Sequence, residues 1–310
     1  GRERPGFAVR RLALDAALLD AARAAGVEVR EGVRVTGLVR EGDGVAGVVA
    51  EAGGVRGVSR ARVTVGADGR RSVVARSLGL LREHRRVRRF AVRGYWEGVE
   101  ALGDVGEMHV GRGGYCGVAP LSATLANVAF VLDRREMAPA GGCLEAFYRA
   151  ALRRRWPRLA ERLEGAHLDV PPRAIGPLAL ECRAVTAPGA VLVGDAAGFY
   201  DPFTGEGITL ALRTAELAAA AIAAALARTA AAPAGRLLRY ERERAAATRD
   251  KFRFNRLLQV AVGWPDAANA VARRLARRPD LADRLVGIAG DFVPARTALG
   301  PGFLWDLLRA

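Results

Sequence analysis

Two short apolar segments, far apart in the chain, each lead into glycine and aspartate. Residues 62–65 run into Gly66-Ala67-Asp68-Gly69, and residues 190–193 run into Gly194-Asp195. In open α/β sheets, ligands bind beyond the carboxyl ends of the strands. The two motifs therefore predict carboxylates at the ligand-binding edge of such a sheet, although residues 66–69 taken alone are also typical of an Asp-Gly turn.

The second motif continues through residues 198–208, with the sequence GFYDPFTGEGI. A loop that contains Pro202 is followed by Gly205-Glu206-Gly207, which opens a long predicted helix. Small residues there let a planar ligand approach the backbone, and the free amides and positive end of the helix would face it. The pattern predicts a site for a ring system that becomes anionic.

The order of helical and strand patterns places a β-rich segment between two α/β segments. Helical spacing predicts helices at residues 12–25, 72–78, 144–163 (kinked or split at Pro157) and from Glu206 onward, with breaks near Pro233, Pro265, Pro279 and Pro294. Strands are expected at residues 27–30, 33–40, 45–50, 62–65, 90–99, 107–110, 115–119, 127–132 and 190–193. We therefore expect a mixed α/β (α+β) fold in which an inserted antiparallel sheet, residues 86–174, interrupts a domain formed by residues 1–85 and 175–230. A helical region, residues 231–310, follows.

A GxGxxG pattern at residues 42–47, GDGVAG, does not stand in a dinucleotide-binding context. That fingerprint requires a strand, a tight glycine turn and then a helix whose N-terminus holds the pyrophosphate. Here the glycines lie between two predicted strands, and an Asp-Gly step between apolar runs is typical of a hairpin. We interpret the segment as a β-hairpin turn.

The charge of the chain does not indicate a nucleic-acid partner. The formal net charge is +15, yet Lys251 is the only lysine among 48 Lys and Arg, and the arginines are spread along the chain. A nucleic-acid-binding face usually clusters both residue types. We interpret the charge as a compositional bias and expect no nucleic-acid partner, with an anionic membrane surface as the alternative.

Composition also limits the classes of site. With 51% hydrophobic and 26% charged residues, the chain is of globular rather than disordered type. Its three cysteines and three histidines lack metal-ligand spacing, so we expect no metal site. The scattered histidines also argue against a Ser-His-Asp triad. The most apolar run, residues 217–227, is shorter than the roughly 20 residues of a membrane helix. We expect a cytoplasmic protein, with membrane association as an option.

The two Gly-Asp motifs resemble the DG and GD motifs of the FAD-dependent oxidoreductases related to para-hydroxybenzoate hydroxylase. The string GDAAG…P…GEGI is similar to the geranylgeranyl reductase branch, whereas aromatic hydroxylases more often have His in the place of Gly198. The resemblance implies an FAD-binding Rossmann-like domain, with the inserted sheet forming the substrate pocket. The family's opening GxGxxG unit does not occur in these 310 residues. We therefore expect an N-terminally incomplete domain that binds FAD weakly or not at all by itself.

The resemblance also implies roles for individual residues. Asp195, together with Gly194 and Ala196, would bind the ribityl chain, and the loop through Pro202 would line the isoalloxazine ring. The pyrimidine edge, with the negative charge at N1 of reduced flavin, would face the backbone amides of Gly205, Glu206, Gly207 and Ile208.

Further roles follow for the adenosine side of the cofactor. Asp68 and Gly69 would lie near the ribose and pyrophosphate, and the backbone of Val35 would contact adenine. Arg11 would lie near the flavin or its phosphates, with an ordinary surface arginine as the alternative.

In the sheet, residues 113–120, GGYCGVAP, occupy the place of a Tyr-x-Trp-x-Phe-Pro string of the reductase branch. Gly117 replaces the Trp, which implies a smaller, apolar lining and a hydrophobic substrate. The predicted pocket includes Tyr115, Cys116 and Tyr200, although the first two are also typical of ordinary sheet positions. A flavin halogenase would be expected to carry tryptophans here, so that activity is disfavoured. The sequence indicates no catalytic acid or base.

The resemblance implies an FAD-dependent oxidoreductase that uses NAD(P)H-derived electrons to reduce a double bond of a hydrophobic, isoprenoid-like substrate. The alternative is a monooxygenase that hydroxylates through a flavin C4a-hydroperoxide. A second alternative is a truncated or degenerate chain without activity. The basic stretch at residues 273–278, RRLARR, is either a solvated helix face or a peripheral membrane contact.

Overall fold

The computed structural model describes residues 6–84, 88–111, 113–227, 234–300, 302–303 and 305–306. The chain divides into two compact units, which we call the sheet unit (Gly1–Ala22, Arg85–Leu178 and Phe254–Ala310) and the motif unit (Arg23–His84 and Ala179–Arg253). The predicted inserted domain, residues 86–174, falls inside the sheet unit. Of the predicted helical region, residues 231–310, the part up to Arg253 falls in the motif unit and the part from Phe254 falls in the sheet unit. The expected boundaries at 85/86 and 230/231, and the expected helix break near Pro233, fall on residues outside those described.

Strands and helices are numbered in chain order. The strands are β1 (Arg34–Glu41), β2 (Gly44–Ala52), β3 (Val55–Arg60), β4 (Thr64–Gly66), β5 (Leu81–Glu83), β6 (Arg89–Glu97), β7 (Glu107–Gly111), β8 (Gly114–Pro120), β9 (Ala126–Asp133), β10 (His167–Ile175), β11 (Leu180–Cys182), β12 (Thr186–Ala187), β13 (Ala190–Leu192) and β14 (Gly198–Phe199). The helices are α1 (Arg11–Ala24), α2 (Val73–Ser77), α3 (Leu144–Arg155), α4 (Pro157–Arg162), α5 (Gly207–Leu226), α6 (Ala234–Val262), α7 (Pro265–Arg277), α8 (Pro279–Ala289) and α9 (Arg296–Leu299). The mixed α/β class and most predicted elements are confirmed, but residues 27–30 form no strand. The strands that were not predicted are β3, β5, β10, β11, β12 and β14.

The motif unit is built around the parallel pairing of β4 with β13. Val65 lies opposite Val191 and Gly66 opposite Leu192, and the Val193 amide continues the pairing with a 3.0 Å hydrogen bond to the Gly66 carbonyl. A Cβ at Gly66 would lie 2.7 Å from Leu192 Cδ2, so only glycine fits. The core around this pair is contributed by α2, α5, α6 and the strands, with Val74, Ala75, Val191, Leu192, Ala218, Ala221, Leu237 and Tyr240 among its buried members.

The GDGVAG segment forms the hairpin that the sequence predicts. Antiparallel strands β1 and β2 are joined at Gly42 and Asp43, and β3 pairs with the other edge of β2. Gly42 has φ +55, which suits a tight turn. Gly47 has φ +146, and a Cβ there would lie 2.1 Å from the Ser59 carbonyl oxygen. The glycines therefore serve strand geometry, and this prediction is confirmed.

The sheet unit contains a five-stranded antiparallel sheet in the order β10-β6-β9-β8-β7. One face packs against α3 and α4 around an apolar core that includes Val92, Trp96, Cys116, Val118, Val128, Phe130, Tyr148 and Leu152. We call the opposite side of this sheet the open face. Pro171 and Pro172 lie in β10, an edge strand, where the missing amide donors are tolerated. Of the two outcomes expected at Pro157, a kink or a split, the structure has the split, since α3 ends at Arg155 and α4 begins at Pro157.

The helices after residue 206 follow the predicted pattern, with α7 and α8 each beginning at a proline. The end of α6, α8 and α9 share a separate apolar core that includes Phe254, Leu281 and Ile288. Helix α5 is longer than the apolar run seen in the sequence. Its 20 residues are, by length and composition alone, sufficient to cross a membrane, and it is the one such helix among the described residues.

Candidate functional site

The carboxyl ends of β4 and β13 bring the two Gly-Asp motifs side by side. Because Gly66 and Leu192 are paired in a parallel register, the residues that follow them leave the sheet at the same edge. Asp68 and Gly69 lie in the turn after β4, and Gly194, Asp195 and Ala196 form a turn of 3-10 helix after β13. The geometry expected from the sequence is therefore present within the motif unit.

The Asp68 carboxylate is hydrogen-bonded to the backbone of the turn that follows it. Its Oδ2 accepts a hydrogen bond from the Val73 amide at 2.6 Å, and Ser72 Oγ accepts one from the Ala75 amide at 2.9 Å. The N-terminus of α2 is thus satisfied by side chains. Gly69, with φ +71, allows the turn between the strand and this helix. Asp68 therefore stabilises the turn through the hydrogen bond that its Oδ2 accepts from the Val73 amide.

The N-terminus of α5 differs from that of α2. Its N-cap residue, Glu206, makes no side-chain hydrogen bond to the first turn, so within the described residues no side chain caps the amides of Gly207 and Ile208. A Cβ at Gly207 would lie 4.0 Å from Asp195 Oδ1, which places the half-buried Asp195 carboxylate beside the helix start. A Cβ at the exposed Gly205 would meet nothing within 4 Å. The helix end, with its partial positive charge, is open to a ligand.

Helix α5 also fixes the turn that carries Asp195. The Gly194 amide donates to Thr214 Oγ1 at 2.9 Å, and that hydroxyl donates to the Leu210 carbonyl at 2.8 Å. Gly194 has φ +55, and a Cβ there would lie 3.1 Å from Ala211 Cβ. The close approach of turn and helix therefore requires glycine at 194.

Three polar side chains of α6 contact successive parts of the second motif. Tyr240 donates to the Leu192 carbonyl at 2.7 Å, and Arg244 donates to the Ala197 carbonyl at 3.2 Å. Lys251 Nζ lies 3.3 Å from Glu206 Oε2, and both side chains are about 95% buried. Burial raises the pKa of Tyr240 to about 12, so its hydroxyl remains a donor at neutral pH. Helix α6 thus positions the end of β13, the turn after it and the start of α5.

Arg70 supplies a buried positive charge next to the second motif. Only 8% of the residue is exposed. Burial lowers the pKa of its guanidinium below the ordinary value, and the Asp195 carboxylate opposes that shift. The guanidinium also lies 6.0 Å from the centre of the Phe199 ring. Arg70 therefore balances part of the charge of Asp195.

The loop between Gly198 and Gly205 has an internal framework. Asp201 is buried and its Oδ1 accepts from the Phe203 amide at 3.0 Å. The Gly205 amide donates to the carbonyl of the half-buried Pro202 at 3.0 Å. Tyr200 packs edge-on against His84, with ring centres 6.1 Å apart. The loop is folded on itself and presents Pro202 next to the α5 start.

Other predicted site residues lie elsewhere. Val35 is half-buried in β1, next to an irregularity in its pairing with β2. Arg11 belongs to the sheet unit and is an exposed residue that pairs with Asp15 one helical turn away, at 3.1 Å.

The two predicted pocket residues of β8 face opposite sides of the sheet. Cys116 is fully buried in the core under α3 and α4, and burial raises the pKa of its thiol. Its side chain therefore serves core packing and is not accessible to a substrate in this structure. Tyr115, also buried, lies on the open face.

Sequence reasoning did not single out Arg70, Thr214, Tyr240 or Arg244 as contributors to the site, and it noted Lys251 only for its rarity. The position of Arg70 directly after Gly69 was a signal that it would lie near the sheet edge. A lone lysine in an arginine-rich chain was a second signal. Contacts from α6 could not be inferred, because they depend on how a distant helix packs. No group of three potential metal-ligating side chains was found in the described part of the chain.

Comparisons with known proteins agree with this arrangement. The family described as "FAD binding domain" matches residues 8–255. Digeranylgeranylglycerophospholipid reductase from Methanosarcina mazei (strain ATCC BAA-159 / DSM 3647 / Goe1 / Go1 / JCM 11833 / OCM 88) is 29% identical over 220 residues, covering 69% of this chain and 52% of the relative. The chain thus spans about half the length of this curated relative.

Solved structures of two further classes are similar to the chain. The myxobacterial chondrochloren halogenase CndH is 26% identical with a TM-score of 0.74, covering 91% of this chain and 70% of that one. OxyS anhydrotetracycline hydroxylase from Streptomyces rimosus is 23% identical with a TM-score of 0.70, covering 91% and 56%. At that identity the hydroxylase shares the fold alone. The similarity to a halogenase differs from the expectation based on Gly117, which disfavoured the halogenase class.

Proposed function

The chain belongs to the FAD-binding domain family, and on that premise we propose that it acts as an FAD-dependent oxidoreductase that reduces a double bond of a hydrophobic, isoprenoid-like substrate. NAD(P)H is the proposed electron donor. The observation that carries the proposal is the uncapped N-terminus of α5, with Asp195 beside it.

The residues of the motif unit fit the flavin and ribityl end of FAD. Asp195 has a half-buried carboxylate that is suited to hydroxyl donors, and Gly205 and Gly207 leave room for a flat ring against the backbone. The Gly207 and Ile208 amides are donors at the positive end of a helix. Arg70 keeps the site from accumulating negative charge around Asp195.

Bound FAD supplies two-electron transfer, and the chain's own residues prepare its surroundings. The amides at the α5 start favour negative charge on a ligand that contacts them. The loop from Asp201 to Gly205 holds Pro202 in place through its internal hydrogen bonds. Lys251 balances the charge of the buried Glu206 carboxylate, which would otherwise repel an anionic ligand at the helix start.

The substrate class rests on two supports. The curated relative at 29% identity is named as a reductase of a geranylgeranyl lipid, and the small residues Gly117, Ala119 and Ala129 occupy adjacent strands of the sheet. Small apolar side chains leave space for a bulky apolar chain. The proposal therefore favours an isoprenoid over a compact aromatic ring.

The second candidate function is a monooxygenase, the alternative that the resemblance of the two Gly-Asp motifs leaves open. The two functions differ in their use of O₂. The test is turnover of the purified protein with NADPH and a geranylgeranyl lipid, with and without O₂, followed by mass spectrometry. The proposal predicts anaerobic formation of a product two mass units heavier. A product that gains one oxygen atom, formed only with O₂, would replace it with the monooxygenase.

A further inference from the structure

The open face of the five-stranded sheet combines exposed apolar side chains with unpaired positive charge. Its exposed apolar residues, 36–47% accessible, are Met108, Val110, Val170 and Ile175. The strand registers place one continuous row across its middle, formed by Arg173, Arg93, Ala129, Gly117 and Met108. This row is cationic at the β10 edge and apolar toward β7.

Arg93 and Arg173 lie directly opposite each other on β6 and β10. Side chains at such positions point to the same face, and like charges there destabilise a sheet. Arg93 is half-buried and Arg173 is exposed. Within the described residues, neither guanidinium has a carboxylate within ion-pair distance. The folded chain thus holds two neighbouring positive charges that an anion would neutralise.

Tyr95 organises these charges. The Arg93 guanidinium lies 4.8 Å from the centre of its ring, and Arg10 lies 5.3 Å from the same centre. Arg10 also donates to Asp169 Oδ2 at 2.7 Å. The stacking restricts Arg93 before any ligand arrives, which reduces the entropy cost of binding. Three arginines face one aspartate, so the cluster keeps a net positive charge.

Asn127 provides an independent sign of a ligand. It lies on β9 directly opposite Tyr95, on the open face. Its Oδ1 is buried and accepts no hydrogen bond from any described residue. A buried acceptor without a donor costs free energy, and a hydroxyl of a bound molecule would satisfy it.

We propose that Arg93 and Arg173, with Arg93 held by Tyr95, bind the phosphate group of an amphiphile whose apolar chain lies across the open face, while Asn127 Oδ1 accepts a hydrogen bond from a hydroxyl of the same molecule. This inference rests on the proposed function, because it assigns a phosphate-bearing head to the isoprenoid-like substrate. Arginine is suited to the task because its planar fork binds phosphate oxygens in pairs.

The test is calorimetric titration of the full chain with octyl phosphate, with neutral octyl glucoside as the chain-matched probe and inorganic phosphate as the headgroup-only probe. Octyl phosphate should bind more tightly than either. Arg93→Met and Arg173→Met should each weaken octyl phosphate roughly tenfold and leave octyl glucoside unchanged. Arg93→Lys should recover part of the loss. Arg153→Met, an exposed arginine of α3, is the control with the same change in charge.

Equal affinity of the wild type and both methionine variants for octyl phosphate would overturn the site. If inorganic phosphate binds as tightly as octyl phosphate, the apolar chain contributes nothing to binding, and the proposal of an amphiphilic ligand is wrong. Arg173 is exposed, so its variant keeps the test valid even where Arg93→Met does not fold. Binding is measured without turnover. A chain that binds octyl phosphate through these arginines but reduces no double bond would contradict the proposed function alone.

Discussion

Lys251 and Glu206 form an ion pair from which solvent is almost excluded, with Nζ 3.3 Å from Oε2 and side chains 4% and 5% exposed. Forty-five residues separate the partners in sequence, and Glu206 is the N-cap of the helix whose start forms the candidate site. The pair therefore links the packing of α6 to the geometry of the ligand-binding helix.

Replacing Lys251 with Met should destabilise the protein by about 3–5 kcal/mol, because the Glu206 carboxylate would remain buried without its partner. Chemical denaturation of the purified protein measures this loss. The double variant Glu206→Gln with Lys251→Met should regain much of the stability. Arg249→Met, an exposed change on the same helix, is the control and should cost less than about 0.5 kcal/mol. A single variant as stable as the control would show that the pair is not structural.

Tyr240→Phe removes one hydroxyl and leaves the aromatic packing in place. Because that hydroxyl donates to the Leu192 carbonyl at 2.7 Å, the variant should lose about 1–3 kcal/mol of unfolding free energy. The affinity for FAD should fall as well, since Leu192 ends the strand that leads to Asp195. Denaturation and flavin-fluorescence titration provide the two measurements. Unchanged values of both would remove Tyr240 from the support of the site.

Gly47→Ala tests the interpretation of the GDGVAG segment as a hairpin. The added Cβ would lie 2.1 Å from the Ser59 carbonyl oxygen, in a backbone conformation with φ +146. We expect marked destabilisation, about 2 kcal/mol or more, while Gly53→Ala, at a turn with open space but φ +56, should cost only about 1 kcal/mol. A variant of Gly47 that keeps full stability but loses FAD binding would instead make this glycine part of a cofactor site.

Glu107 gives the sheet unit a defined pH dependence. The Arg162 guanidinium, which donates to both carboxylate oxygens at 2.8 and 3.0 Å, holds the pKa of Glu107 below its ordinary value of 4.5, with a smaller contribution from His109. A lowered folded-state pKa stabilises the protein above the ordinary value, and that stability is lost as the pH falls through the folded-state pKa.

At pH 7 the wild type should therefore be more stable than Glu107→Gln, by about 0.5–1 kcal/mol for this partly exposed pair. The difference should shrink as the pH falls below 4.5. Urea denaturation at several pH values between 7 and 3.5 measures it, with Glu164→Gln, an exposed carboxylate of the same unit, as the control. A difference that stays constant across this range would contradict the assignment.

The sequence predicted that two apolar strands lead into Gly-Asp turns at one edge of a sheet, because local features encode these turns. An apolar strand that runs into glycine and aspartate specifies its own turn, and the parallel pairing of β4 with β13 brings the two turns to the same edge. The contacts from α6 were not predictable in this way. They join residues more than 40 positions apart, and helical periodicity does not reveal which partner a polar residue of the buried face will contact.

Two sequence interpretations each depended on the identity of a single residue, Cys116 or Gly198, and the structure gives a packing or backbone reason for each residue. Cys116 alternates with Tyr115 along β8, so only one of the two can face the open side, and the register puts Cys116 in the core. Gly198 was interpreted as a marker of the reductase branch. It has φ +123 and pairs with Glu181, so in this chain its backbone conformation requires glycine whatever the reaction.

The most direct test of the account is the dissociation constant of FAD for the full chain and for Asp195→Asn, measured by flavin-fluorescence titration up to concentrations at which weak binding is detected. Asp43→Asn, in the exposed turn of the β1–β2 hairpin, is the matched control. The account predicts saturable binding that Asp195→Asn weakens tenfold or more, in keeping with the loss of a charged hydrogen-bond acceptor, and that Asp43→Asn leaves unchanged. Equal affinities of the wild type and Asp195→Asn for FAD would contradict it.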